Sequence, residues 1–176
     1  QAQDAQDLVV DALPGRDELR GPAGGAGDAQ PDTVIVAGTN SDDVILAVLP
    51  LSFDYGQNQL FSAWYAGASV VPLDYLTPRD VTKACLRHGV TTLAAVPPLW
   101  LQLIEVDWPP EAIDKMRRLT NSGGALTAGL VRDLRATFPG ARIFPMYGLT
   151  EAFRSTFLDP DLVDSHPTSM GAAIPF

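Results

Sequence analysis

The chain holds one cysteine, Cys85, so no internal disulfide can form and a reducing cytoplasm is the expected compartment. Lysine is nearly absent: Lys83 and Lys115 are the only two. The formal net charge is −9. A chain this acidic is not expected to bind nucleic acid, which needs Lys and Arg against phosphates. The longest apolar run, Val44 to Leu51, is far shorter than the about 20 residues of a bilayer span, so no membrane partner is expected. No signal-peptide pattern opens the sequence. Also missing are a Gly-Lys-Ser/Thr phosphate loop, a G-x-G-x-x-G after a first strand, a Ser-His-Asp signature and a His/Cys metal cluster. These absences speak against Walker-type nucleotide enzymes, Rossmann dehydrogenases, serine hydrolases and zinc enzymes.

What is present is enough apolar residue for a core: 46% of 176 residues. Residues 1–31 stand apart, rich in Asp, Gly, Ala, Pro and Gln and without periodicity. They read as a mobile tail or linker, with 32–37 (DTVIVA) as a short strand. The division expected is a poorly ordered or divergent segment over 1–40 and a partial domain over 41–176.

From Asp43 the texture changes. DVILAVLPL reads as a strand buried on both faces. Tyr55 to Ala66 reads as a helix and 69–74 (SVVPLD) as a second strand. Thr77-Pro78-Arg79-Asp80 predicts a helix start, with Thr77 as N-cap, Pro78 in the first position and Asp80 closing a capping box. Val81, Ala84 and Cys85 form its apolar stripe, with His88 on the same side, and Gly89 ends it in a left-handed cap. A third strand is expected at 91–97, a short helix at Leu99 to Glu105 and a fourth strand at Leu119 to Ser122. A helix at Thr127 to Phe138 follows, with Leu130, Val131, Leu134 and Phe138 inward, and then a fifth strand at 141–148. Alternation of strand and helix predicts an α/β fold with a mostly parallel sheet and flanking helices.

Open parallel sheets collect ligands beyond the carboxyl ends of their strands. Three such ends carry suggestive residues: Ser52-Phe53-Asp54-Tyr55-Gly56, Asn121-Ser122-Gly123-Gly124-Ala125 and Tyr147-Gly148-Leu149-Thr150-Glu151. Tyr147 can stack on a flat ring, and Gly148 permits close approach of the chain. Thr150 offers a hydroxyl to a phosphate oxygen, and Glu151 is a hard oxygen ligand suited to Mg²⁺. Ring, phosphate and metal together suggest a nucleotide. The same residues also suit a helix start, with Thr150 near the cap and Glu151 favoured by the helix dipole. Gly123-Gly124 reads either as bare backbone for a ligand or as a strand-to-helix turn. Asp54 either recognises a cation or accepts bonds from nearby N–H groups. Cys85 reads as core rather than nucleophile.

The strings YGLTE (147–151), SGGAL (122–126), VPPLW (96–100) and SMGAAIP (169–175) together resemble the AMP-forming adenylating enzymes: acyl-CoA synthetases, peptide-synthetase adenylation domains and luciferases. ILAVLPLSFDYG, LAAVPPLW, TNSGGAL and MYGLTEAFRSTFLDP are most similar to the acyl-CoA ligases of exosortase A systems. The resemblance implies activation of a carboxylic acid by Mg·ATP to acyl-AMP, then transfer to a thiol, usually coenzyme A. It implies catalytic roles for Thr150 at the α-phosphate and Glu151 at Mg²⁺. It places Gly123, Gly124, Ala125, Tyr147 and Gly148 around the nucleotide. It places Phe53, Asp54 and Trp100 around the acid, with Asp54 marking an amino-bearing one.

Departures are equally plain. The family's Ser/Thr/Gly-rich phosphate loop, expected before Asp43, has no counterpart in 1–42. The family's later ribose-binding Asp, its hinge and the small domain with the catalytic Lys have no counterpart either. The chain is therefore expected to be a central piece of such a ligase, inactive alone and prone to self-association through exposed edges. The alternative is a non-catalytic nucleotide-binding or assembly module derived from one.

Overall fold

The computed structural model describes residues 38–149 and 155–174. Strand β1 (Val44–Ala47) leads into helix α1 (Asp54–Ala66) and strand β2 (Ser69–Pro72). Helix α2 (Pro78–His88), strand β3 (Thr92–Ala95) and the short helices α3 (Pro97–Leu103) and α4 (Pro110–Lys115) follow. Strand β4 (Arg118–Asn121), helix α5 (Ala128–Thr137) and strand β5 (Arg142–Tyr147) complete the parallel part. Two short strands, β6 (Thr156–Phe157) and β7 (Ala172–Ala173), close the sheet.

The sheet runs β2-β1-β3-β4-β5-β6-β7. The strands from β2 to β5 are parallel to their neighbours, and β6 and β7 are antiparallel additions. The expected α/β class with a mostly parallel sheet therefore holds. Strand β1 is apolar on both faces because both are buried: Leu46 lies in the main core, and Ile45 and Ala47 pack with Ala63 and Ala66 of α1.

Helix α2 follows the sequence closely. The Asp80 carboxylate accepts from the Thr77 N–H at 2.8 Å and from its hydroxyl at 3.0 Å. Val81, Ala84 and Cys85 are buried, and Gly89 caps the helix at φ 60°. The Cys85 thiol is pushed up to about 12 by burial. It is a core residue with negligible thiolate, as expected. Other boundaries differ. The first apolar run is strand only over Val44–Ala47; Val48 and Leu49 are buried beyond its end, before Pro50. The helix expected from Leu99 begins at Pro97, where the fixed φ of proline suits a first turn. Helix α4 and strands β6 and β7 were not anticipated.

Helix α1 is turned inside out. It buries Asn58, Gln59 and Ser62 together with Ala63 and Ala66. Ser62 donates to the Asn58 side chain at 3.0 Å, and Gln59 donates to the Tyr55 carbonyl at 3.2 Å. Phe61, Trp64 and Tyr65 are exposed instead, the first two in ring contact at 6.1 Å. The opposite face of the sheet carries the main core, centred on Leu46, Leu93, Trp100, Leu119, Leu134 and Phe138.

Candidate nucleotide and acid site

Parallel pairing brings the carboxyl ends of β1, β3, β4 and β5 to one edge of the sheet. Three contacts draw those ends together. The Tyr55 hydroxyl, at the start of α1, lies 2.6 Å from the Thr120 hydroxyl on β4, and both groups are buried. The Phe53 ring packs edge-on against Tyr55 with centroids 6.4 Å apart. A Cβ placed on Gly123 would sit 3.9 Å from the Phe53 ring and 3.2 Å from a Val96 methyl. The segments ending β1, β3 and β4 therefore share one wall.

Gly123 turns the chain out of β4 at φ 76°, a conformation that side chains other than glycine rarely adopt. Behind the turn, the Pro97 ring lies 3.0 Å from where a Cβ of Gly124 would be. The Asn121 side chain donates to the Gly124 carbonyl at 2.8 Å and holds the turn from below. Among the described residues, the backbone N–H groups of Gly123, Gly124 and Ala125 make no hydrogen bond to protein. Gly123 and Ala125 are exposed and Gly124 is half-buried. The turn is thus a rigidly seated run of unpaired donors, the feature a polar ligand needs.

Gly56 shows how tightly the first strand end is seated. A Cβ there would lie 2.2 Å from the Pro50 carbonyl oxygen, so only glycine lets α1 start against the 49–50 backbone. Phe53 stands at the rim, 36% exposed, with Asp54 half-buried beside it. Among the described residues the Asp54 carboxylate has no hydrogen-bond or ion-pair partner.

Strand β5 neighbours β4, with Pro145 opposite Asn121. Tyr147 follows two residues later and is exposed; its carbonyl accepts from the Ser155 N–H at 2.8 Å. Gly148 is half-buried. Thr150 and Glu151 lie outside the described residues. Among the described residues no group of three or more His, Cys, Asp or Glu side chains is placed to hold a metal ion, and no helix is long and apolar enough to cross a membrane.

Trp100 is placed differently from the rest of the expected set. It has no exposed surface and packs in the main core, one turn after Val96. Its indole N–H has no partner among the described residues. The wall built by Val96 and Pro97 was not read from the sequence, although a Pro-Pro pair directly after a buried strand is a signal for a rigid shoulder there. The Tyr55–Thr120 bridge was also missed; the signal was a tyrosine on the sheet side of a helix, whose hydroxyl needs a partner when buried.

Residues 28–176 match the family model of the AMP-binding enzymes, and the chain belongs to that family. It is 33% identical over 138 residues to an indigoidine synthase of Streptomyces lavendulae, a match covering 75% of this chain and 11% of that protein. Its fold superposes on VinN in complex with L-aspartate with TM-score 0.69 and 28% identity, covering 81% of this chain and 36% of VinN. It superposes on the o-succinylbenzoate coenzyme A synthetase MenE of Bacillus subtilis, bound to ATP and a magnesium ion, with TM-score 0.70 and 26% identity. That match covers 81% of this chain and 29% of MenE. The chain thus spans about a third or less of the relatives it matches.

Proposed function

We propose that this chain forms the nucleotide- and acid-binding part of an AMP-forming acid–thiol ligase. The observation that carries the reading is the Gly123–Ala125 turn, with its unpaired N–H groups, beside the Asp54 and Tyr147 strand ends in a member of the AMP-binding family. Tyr147 would stack on adenine. Gly123, Gly124, Ala125 and Gly148 would let the nucleotide lie against backbone. Thr150 would meet the α-phosphate and Glu151 would hold Mg²⁺, since that ion takes one or two carboxylates together with substrate phosphates. Bound Mg·ATP would supply an activated phosphorus for attack by the acid. Such chemistry rests on positioning and charge neutralisation more than on a strong base.

Phe53 and Asp54 would face the acid. An unpaired, half-buried carboxylate favours a substrate bearing an amine, in line with L-aspartate bound to VinN. Coenzyme A is the proposed thiol acceptor. The narrower likeness to exosortase A ligases rests on sequence strings alone, and none of the relatives reported above is such a ligase. The domain over 41–176 is the working unit, and the isolated chain is proposed to self-associate through the α1 aromatic face and the open edge of β2.

Calorimetric titration of the 176-residue chain with AMP and with a non-hydrolysable acyl-adenylate tests the reading. Binding is expected, with a Mg²⁺ dependence for ATP that Glu151→Ala removes. No binding of any of these nucleotides would overturn it. Pyrophosphate exchange by the chain alone is expected to be undetectable; measurable exchange would show that it is an enzyme by itself. Binding without exchange in a full-length relative carrying this segment would favour the non-catalytic module.

A further inference from the structure

We infer that Asn121 is a positioning residue for the nucleotide, an inference that rests on the function proposed above. Along β4 the side chains alternate: Thr120 reaches Tyr55 on one face, and Leu119 joins the main core on the other. Asn121 falls on the Leu119 face, 1% exposed. An apolar residue would suit that position by packing alone.

The amide is only half used. Its nitrogen donates to the Gly124 carbonyl at 2.8 Å, while its buried oxygen has no partner among the described residues. An unpaired buried acceptor costs about as much as the bond made by the other end gains. The net effect of Asn121 on folding is therefore small. What it adds is geometry. The bond spans the turn that carries the N–H groups of Gly123, Gly124 and Ala125, which find no protein acceptor among the described residues. Gly123, with its left-handed φ, and Gly124, without a side chain, lend that turn little stiffness of their own. Asn121 supplies the stiffness, so that the donors are fixed before ligand arrives and their ordering cost is already met.

The test uses the full chain with Asn121→Leu, which keeps the volume and removes the donor, and Asn121→Asp, which keeps the shape. The melting temperature of Asn121→Leu is expected to equal or exceed that of the parent. ¹⁵N relaxation is expected to show the order parameters of Gly123, Gly124 and Ala125 falling from near 0.85 to below about 0.6. AMP affinity is expected to fall roughly tenfold, the worth of one hydrogen bond. Unchanged order parameters in a folded variant would overturn the inference, whatever the ligand does. Unfolding of both variants would also overturn it, because Asn121 would then be a structural residue. If the parent itself fails to bind AMP, the proposed function falls, and the order parameters still decide whether Asn121 braces the turn.

Discussion

The two edges of the parallel sheet are built on opposite terms. At the amino edge, Asp43 is completely buried and ties the strands together. It accepts from Arg118 at 2.6 Å and from the Thr91 hydroxyl at 2.9 Å, while Asn40 donates its N–H at 2.9 Å. Thr91 in turn accepts the Val44 N–H at 3.0 Å, and Arg118 reaches the Gly38 carbonyl at 2.7 Å. β1, β3 and β4 are thus tied through one carboxylate. At the carboxyl edge, among the described residues, β4 runs into unpaired amides, β1 into an unpartnered Asp54, and the neighbouring β5 into an exposed Tyr147. One edge spends its polar groups on holding the sheet, and the other leaves them for something outside it.

The largest effect should come from breaking the amino edge. Asp43→Ala leaves the Arg118 guanidinium, only 13% exposed, without its carboxylate. Removing one partner of a buried pair costs about 3–5 kcal/mol. Urea denaturation should show that loss. A change below about 1 kcal/mol would mean that the tie is decorative and that the contrast between the edges is false.

The carboxyl edge should be less costly to disturb, but not free. Gly56→Ala drives a methyl group into the Pro50 carbonyl at 2.2 Å, and backbone must move. Overpacking of this kind costs about 1–3 kcal/mol. Because the shift displaces Phe53 and Asp54, ligand binding should weaken by more than the melting temperature suggests. A fully stable variant with parental AMP affinity would show that the strand end is more plastic than it looks. Tyr55→Phe is milder still. It removes the hydroxyl that bridges to Thr120 and should cost about 1 kcal/mol, the net worth of one hydrogen bond. A variant as stable as the parent would mean that the bridge does not join the two strand ends energetically.

The sequence made some of this contrast visible. Helix α2 was readable in full, because Thr77, Pro78, Asp80 and Gly89 each act within one turn of the chain and need no tertiary partner. The strand ends at Gly123-Gly124 and Tyr147-Gly148 stood out as candidates, because a buried strand that runs into Tyr-Gly or Ser-Gly-Gly breaks the expected loop composition; Thr150 and Glu151 lie outside the described residues, and Trp100 lies in the core. The amino edge was not readable: Asp43, Thr91 and Arg118 are far apart in sequence, and only strand register brings them together. Helix α1 was found but its faces could not be assigned, because Phe61, Trp64 and Tyr65 are exposed while Asn58 and Gln59 are buried. Strands β6 and β7, of two residues each, are too short for a period of two to register.

The smallest effect separates two carboxylates that do similar work at opposite edges. Asp80, half-buried, caps α2 at the carboxyl edge. The Thr77 N–H, with help from the Thr77 hydroxyl, the Leu76 N–H and nearby Lys83, holds its carboxyl below the usual range. Its folded value is therefore lower than its unfolded one. The stability it adds is complete above the unfolded value, near 3.8, and is lost as pH falls through the lower folded value. Asp80→Asn keeps an acceptor for the Thr77 N–H but not the charge. The melting temperatures of parent and variant should therefore differ slightly at neutral pH and converge in acid, with salt reducing the Lys83 share. A gap that stays constant through the acid range would mean that the cap works by shape alone.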